Sequence, residues 1–462
     1  SKDRAASRRK EKKRLESAYA DALEMDKNSN EDTDEKADLH NLRTQLQKIY
    51  EEEDDAIRFR TGLDVIEKGE KITPFFFRTI DTNRKESNIL KLKTDIHPNG
   101  TTSKKETMDA IQDHYAKIFS DPDRDKEIPD EWFDGIAKVP EAVSATLDAN
   151  ITPNDLTTAL FKLMCEGRSP GNDGLSTSFY RAFWAEISGM VTSSLREGWE
   201  KGKFSNSQRQ SVIRMIEKKG KDKETIGGWR PISLMNADIK MLAKVIAERL
   251  KVVCKHVIGE EQLAYIEGNN IHEGHLLINR ALEMARSKRL KGLMTCVNFK
   301  QAFDSVRHKF IYKSLQKMGV GENLISLIRA LYADNISAIM NFGTTTGWIN
   351  LERSCRQGDP VSAYLFIIVM EILLNRLRKM GIGLTIGQLH LWSTAFADDL
   401  TMFLKSNQEL RDALKVFKEF REVTGLDINY TKSEVMELNY EYDTTIGIPK
   451  KDSVKITGIR FC

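Results

Sequence analysis

The sequence predicts a mixed α/β (α+β) fold, mainly helical through its middle and alternating short strands with helices further on. Three observations carry this. From Ile239 onward, Leu242, Ile246, Leu250 and Val253 recur at helical spacing with charges between them. Met294–Val297 is a short apolar run that reads as a strand. Ser406-Asn407-Gln408-Glu409 has capping-box form and opens a helix with Leu410, Leu414, Phe417 and Phe420 on one face. Gly425 stands where the end of that helix wants a glycine.

At 462 residues the chain has room for several domains, at roughly 150 residues each. A 40% apolar and 30% charged composition is that of a soluble globular protein. No run approaches the ~18 apolar residues of a membrane span, so no membrane partner is expected. The longest apolar stretch, around Ala363–Leu374, is interrupted by Glu371 and reads as a core helix. There is no signal-peptide pattern. The five cysteines (Cys165, Cys254, Cys296, Cys355, Cys462) are scattered without a Cys-x-x-Cys pair. That argues against a disulfide framework and a structural zinc site, and for a reducing compartment. A net charge of +3 decides nothing about nucleic acid, because the location of charge matters more than its sum. Ser1-Lys2, without a methionine, is expected of a segment cut from a longer protein.

Composition divides the chain. Residues 1–55 are almost all charged or polar, with a basic cluster (Arg8, Arg9, Lys10, Lys12, Lys13, Arg14), and read as a solvated helix or tether. The cluster has three readings: a nucleic-acid contact, a nuclear signal or a solvated face. Residues 56–140 are more apolar: Thr73-Pro74-Phe75-Phe76-Phe77 reads as a buried strand or helix entry, and His97-Pro98-Asn99-Gly100 as a turn. Residues 141–290 read mainly as helix, 291–440 as strands alternating with helices, and 441–462 as a short closing segment.

The chemistry concentrates at Thr394-Ala395-Phe396-Ala397-Asp398-Asp399-Leu400-Thr401-Met402-Phe403-Leu404, two β-prone runs around a turn with adjacent aspartates. On a hairpin tip, Asp398 and Asp399 project dense negative charge from rigid apolar flanks. Neighbouring carboxylates repel and raise each other's pKa. A divalent cation removes that cost, and magnesium favours one or two protein carboxylates with phosphate and water completing its octahedron. A bare Asp-Asp pair is more often a solvated turn; the apolar flanks and the remaining motifs reverse the balance.

Those motifs are Ser169-Pro170-Gly171-Asn172-Asp173-Gly174, Ile216-Glu217-Lys218-Lys219-Gly220-Lys221-Asp222, Trp229-Arg230-Pro231-Ile232-Ser233-Leu234 and Asn298-Phe299-Lys300-Gln301-Ala302-Phe303-Asp304. Cys355-Arg356-Gln357-Gly358-Asp359-Pro360, the Phe396–Asp399 turn and Gly425-Leu426-Asp427-Ile428-Asn429-Tyr430-Thr431-Lys432-Ser433 follow. The ordered set resembles the reverse transcriptases of non-LTR retrotransposons, the long interspersed elements (LINEs). Arg58 to Phe77, with Gly69-Glu70, looks like their N-terminal extension. The resemblance implies a right-hand polymerase: an N-terminal helical extension (56–140), helical fingers (141–290), an antiparallel-sheet palm (291–440) and the start of a primer grip (441–462). Lys455-Ile456-Thr457-Gly458-Ile459-Arg460 resembles that last strand, and a thumb is expected to be missing.

The resemblance also implies an RNA-directed DNA polymerase with two magnesium ions (manganese as a substitute), acting on an RNA template, a DNA primer and deoxynucleoside triphosphates. In it Asp398 bridges the metals, Asp399 supports the site and the Phe299 carbonyl is a further ligand. Lys218 and Arg230 grip the triphosphate, the arginine fork suiting paired phosphate oxygens. Backbone amides of Gln301 and Ala302 face the triphosphate, Phe303 is the steric gate under the sugar, and Gln357 and Gly358 close against nucleotide and template. Lys432 is the proton donor to pyrophosphate. The full-length protein is expected to act on nicked chromosomal DNA in the nucleus, after a cytoplasmic ribonucleoprotein stage.

Departures bear on activity. The family carries aspartate where this chain has Asn298, which offers an oxygen without the charge that holds two divalent ions together. The chain as written is expected to polymerise poorly or not at all, and Asp304 does not replace the lost acid. Gly268-Asn269-Asn270-Ile271 lacks the arginine usual after the glycine, and Ala363 stands where proline is common. Two other readings stay open: a non-catalytic nucleic-acid-binding descendant of such an enzyme, and a group II intron-type maturase.

Overall fold

The computed structural model describes residues 2–25, parts of 41–49, and 88–461 apart from 288, 387 and 388. Thr73–Phe77 and the Gly69-Glu70 extension lie outside the described residues. In chain order the elements used below are α1 (Lys2–Met25), α2 (Thr177–Glu200), β1 (Gln210–Glu217), β2 (Trp229–Met235), α3 (Ala237–Val257) and α4 (Ile271–Ser287). There follow β3 (Gly292–Val297), β4 (Phe299–Lys300), α5 (Ala302–Ser305), β5 (Ile336–Asn341), β6 (Thr344–Thr345), β7 (Ile349–Asn350) and α6 (Ser362–Lys379). The chain continues through β8 (Leu384–Ile386), β9 (Leu389–Leu391), β10 (Ser393–Phe396), β11 (Asp399–Leu404) and α7 (Asn407–Thr424). It ends with β12 (Asp427–Ile428), β13 (Glu434–Leu438), β14 (Val454–Ile456) and β15 (Ile459–Phe461).

These elements form two compact units, each assembled from separated segments rather than from consecutive blocks. One comprises Ser1–Tyr115, Asn150–Ile246 and Ala330–Asn350; the other Ala116–Ala149, Ala247–Arg329 and Leu351–Cys462.

The first unit holds a sheet of order β2-β1-β5-β6, with β7 also on β5. β1 pairs antiparallel with β2 and parallel with β5, and only a long crossover permits the parallel pairing. Residues 141–290 are mainly helical, as expected, and β1 and β2 are the strands set within them. β1 is buried on both faces at Val212, Ile213 and Met215, so it lacks the period-two pattern that marks a half-exposed strand. The Ser169–Gly174 motif packs here: a Cβ on Gly171 would lie 2.1 Å from Asn236 Oδ1, so only glycine fits.

Residues 2–25 form a helix, as one of the readings of 1–55 had it, and its inner side is held to the rest of the unit. α1 is docked by buried ion pairs. Arg181 on α2 donates to Glu16 and Glu166 at 2.9 Å each, and Lys12 meets Glu166 at 2.8 Å. The remaining Arg181 protons go to the carbonyls of Leu160 and Met164, so the buried charge is fully engaged. Tyr19 adds an edge-to-face contact with Phe161. Lys10, Lys13 and Arg14 stay exposed on the outer side.

The second unit is built on the antiparallel sheet β10-β11-β3-β13. Met294, Phe403 and Met436 fall in register on one face, where Ile278 and Leu282 of α4 and Val454, Ile456 and Phe461 of the β14–β15 hairpin cover them. α6 is apolar all round because it is buried all round: Leu365 to Met370 and Ile372 to Leu374 are fully inaccessible. Glu371, buried among them, is held by Arg378 at 3.1 Å and by the Gly259 N–H at 2.9 Å. The periodic residues Leu242, Ile246, Leu250 and Val253 all face inward on α3. α7 begins on the expected cap, with Ser406 Oγ accepting from the Glu409 N–H at 3.2 Å, while the Glu409 carboxylate accepts from the Lys405 N–H at 2.7 Å and not from that of Ser406. It ends on Gly425 at φ +83°, where a Cβ would also strike the Ser305 carbonyl at 2.4 Å. Among the described residues no helix is long and apolar enough to cross a membrane.

Candidate active site

The acidic turn is the tip of the β10–β11 hairpin. Phe396 pairs with Asp399, leaving Ala397 and Asp398 as a two-residue connection. β11 continues antiparallel against β3 through Leu400↔Val297 and Thr401↔Cys296. One step further along that register, Asn298 stands level with Asp399. Leu400 and Val297 are buried, so period-two alternation turns Asp399 and Asn298 to the sheet's other face. Asp398 is half-buried and Asp399 exposed. Apolar surroundings first, and the neighbouring Asp398 charge second, push the Asp399 carboxyl up to about 6.

Asn298 is fixed by the Gly425–Ser433 segment. Its N–H donates to Ser433 Oγ at 3.0 Å, and its carbonyl accepts from the Asn429 N–H at 2.7 Å. Ser433 Oγ in turn donates to the Asn429 carbonyl at 2.9 Å. Beyond it, β4 pairs with β12 through Ile428↔Phe299 and Asp427↔Lys300, so the Phe299 backbone is held as well. Lys432 sits in the same turn, exposed, with its N–H on Asn429.

Gln301 takes a left-handed conformation (φ +45°) and turns the chain into α5, whose first residues are Ala302 and Phe303. The Phe303 ring stacks on Phe366 of α6, with centroids 4.3 Å apart and planes at 17°. Its carbonyl accepts from the Cys355 N–H at 2.6 Å, which ties α5 to the Arg356–Asp359 loop. Gln357 reaches back to the buried Asp304 at 3.3 Å. Beside it Arg356 and Asp359 form a buried pair at 2.8 Å, and Gly358 crosses the tip at φ +103°. Asn298, Phe299, Gln301, Ala302, Phe303, Gln357, Gly358, Asp398, Asp399 and Lys432 thus all belong to one unit. Lys218 and Arg230 belong to the other, where they are neighbours: Arg230 pairs with Ile216, and the Lys218 N–H donates to the Gly228 carbonyl at 2.8 Å. Arg230 is exposed, and Lys218 Nζ rests on the Gly227 carbonyl at 3.1 Å.

Two contributors escaped the sequence reading, and two more stood in the Gly425–Ser433 motif without a role. Gln262, fully buried, hydrogen-bonds the backbone of Ala397 just before Asp398. Tyr265, half-exposed at φ +61°, has its phenol raised first by burial and then by the charge of Asp398, which places it in electrostatic reach of the tip. Ser433 and Asn429 brace Asn298. Gln262 and Tyr265 lie in no spacing that announces chemistry; each is revealed by its partner.

The donors suit magnesium in kind, being two carboxylates, an amide oxygen and a backbone carbonyl. Among the described residues no group of three or more His, Cys, Asp or Glu side chains gathers to hold a metal.

Comparison with known proteins agrees with this geometry. Residues 216–461 match the reverse transcriptase (RNA-dependent DNA polymerase) family, and the chain belongs to it. Its relatives make it a reverse transcriptase of the non-LTR retrotransposon, LINE-like type. The transposon TX1 149 kDa protein of Xenopus laevis is 30% identical over 70% of this chain and 25% of its own length. The Pol polyprotein of the type-1 retrotransposable element R2 from Popillia japonica is 31% identical over 47% of this chain and 31% of its own. The RNA-directed DNA polymerase from mobile element jockey of Drosophila funebris is 25% identical over 50% and 26%. The alignments thus cover between a quarter and a third of each relative's length.

Proposed function

We propose that the chain is built to extend a DNA primer along an RNA template, and that Asn298 leaves it weak or silent in that reaction. The observation that supports this reading is the β3–β11 register, which sets Asn298 level with the Asp398–Asp399 tip. On this reading the sheet β10-β11-β3-β13 is the palm and the β1–β2 hairpin belongs to the fingers.

Asp398, with the oxygens of Asn298 and Phe299 and with Asp399 supporting from beside, would hold magnesium, which when bound supplies activation of the primer 3′-hydroxyl and neutralisation of the triphosphate. The chain's own residues do the rest. Arg230 and Lys218 hold phosphate oxygens, the arginine as a planar fork and the lysine as a point charge. The Gln301 and Ala302 amides offer donors to phosphate oxygens. Phe303, immobilised against Phe366, excludes a 2′-hydroxyl by bulk. Lys432 holds a proton for the departing pyrophosphate. RNA template, DNA primer and deoxynucleotides are the proposed partners, with chromosomal DNA in the nucleus as the target of the full-length protein.

Asn298 itself favours a second reading, a non-catalytic nucleic-acid-binding descendant. Primer extension by the Asn298→Asp variant with magnesium, on RNA and DNA templates in parallel, separates the two. Restored synthesis on RNA supports the polymerase. Silence with intact RNA binding supports the binder. Extension on DNA alone removes the RNA-directed part of the proposal.

A further inference from the structure

We infer that Gln262 is a positioning residue for the acidic tip: its buried carboxamide sets the left-handed turn at Ala397 that aims Asp398 and Asp399. The inference deepens the polymerase reading and rests on it.

Ala397 lies at φ +56°, a conformation an L-residue with a Cβ adopts rarely. Two-residue hairpin turns that need positive φ usually recruit glycine or asparagine, and this one has Ala397-Asp398. Something outside the turn must therefore hold it. Gln262 is fully buried, and its side chain serves both backbone groups of Ala397. Oε1 accepts the Ala397 N–H at 2.9 Å, and Nε2 donates to the Ala397 carbonyl at 3.3 Å. Oε1 also accepts the Ala264 N–H at 3.1 Å, so the amide orientation is set from both sides.

Gln262 cannot shift to follow the hairpin, because its own backbone is pinned to it. The Ala395 N–H donates to the Glu261 carbonyl at 2.7 Å, and the Leu263 N–H donates to the Ala395 carbonyl at 2.8 Å. The Glu261 carboxylate accepts from Arg378 at 3.0 and 2.8 Å and from the Trp392 indole at 2.8 Å. The segment thus lies beside β10 as a fixed rail, and Gln262 is the point where it reaches the tip. A carboxamide is the suitable group, since it both accepts and donates without adding charge next to two acids. Methionine would fill the space and leave both Ala397 groups unpaired. Glutamate would keep the acceptor and lose the donor.

The test uses Gln262→Met and Gln262→Glu, each in the chain as it stands and in the Asn298→Asp background. In the chain as it stands, exchange of the Ala397 amide proton should be at least about tenfold faster in Gln262→Met, with the core amides of α6 unchanged. In the Asn298→Asp background kcat should fall by about tenfold to a hundredfold, with KM for the deoxynucleotide within about twofold, because misaimed groups lose rate rather than binding. Gln262→Glu should fall between. If the Asn298→Asp parent extends primers and both Gln262 variants match its kcat, the inference fails while the polymerase reading stands. If that parent is silent, the polymerase reading fails, and Ala397 exchange still decides whether Gln262 holds the turn. Should Gln262→Met lose its fold, Gln262→Glu carries the test, and parental kcat in it in the Asn298→Asp background overturns the inference.

Discussion

Asn298 and Asp399 stand level across adjacent strands, brought there by the Leu400–Val297 pairing one residue away. An acid at 298 would place a third carboxylate beside Asp399, which burial and then the Asp398 charge already push up to about 6. Asn298→Asp should therefore lower the melting temperature by a few degrees in chelator, since the added charge has no counterion. Magnesium or manganese should restore it, and calorimetric titration should show divalent affinity at least about tenfold above the parent. Equal melting temperatures with and without metal would count against a shared cation pocket.

Phe303 is held flat against Phe366, which makes its ring a wall rather than a mobile side chain. Phe303→Val removes that wall without touching the acids. In the Asn298→Asp background, incorporation of ribonucleotides relative to deoxynucleotides should rise by about tenfold or more, because the lost contact is repulsive toward a single hydroxyl. Competition between the two nucleotide types on one template measures it. An unchanged ratio places the sugar gate elsewhere.

What was legible in the sequence was local. The inward stripe of α3, the cap and glycine stop of α7, the β3 run and the acidic turn all follow from periodicity or turn chemistry within a few residues. What was not legible depends on partners far along the chain. Gln262 meets Ala397 across 135 positions, and Arg181 meets Glu16 across 165. A buried glutamine or arginine reads as surface until its partner is seen. β1 was read through its lysine motif and not as a strand, because burial on both faces erases the alternation that would have marked it.

Docking of α1 rests on Arg181. Replacing it with methionine takes the arginine away from both Glu16 and Glu166, while Lys12 still answers Glu166. Breaking a buried pair from one side costs about 3–5 kcal/mol. Arg181→Met should lose stability of that order in urea unfolding and expose α1 to protease. Glu16→Gln keeps a hydrogen-bond acceptor and leaves Arg181 its Glu166 partner, so it should cost about 1 kcal/mol. Equal losses would mean that packing, and not charge, docks the helix.

Two titrating groups should drive stability in opposite directions with pH. Burial, helped by the charge of Arg356, lowers His308 from 6.5 to about 4, and its Nε2 faces the Ser354 carbonyl at 3.0 Å. Between those values the unfolded chain binds the extra proton, so the contribution of neutral His308 is complete above pH 6.5 and drains as pH falls to 4. Burial, with the charge of Asp238, raises Asp173 from 3.8 to about 6. There the folded chain binds the extra proton, so its contribution is complete below pH 3.8 and is lost as pH rises through 6. Urea unfolding across this range should therefore show His308→Gln gaining on the parent as pH falls, and Asp173→Asn gaining on it as pH rises. Differences that slope the same way for both variants would contradict the environment assigned to one of the two groups.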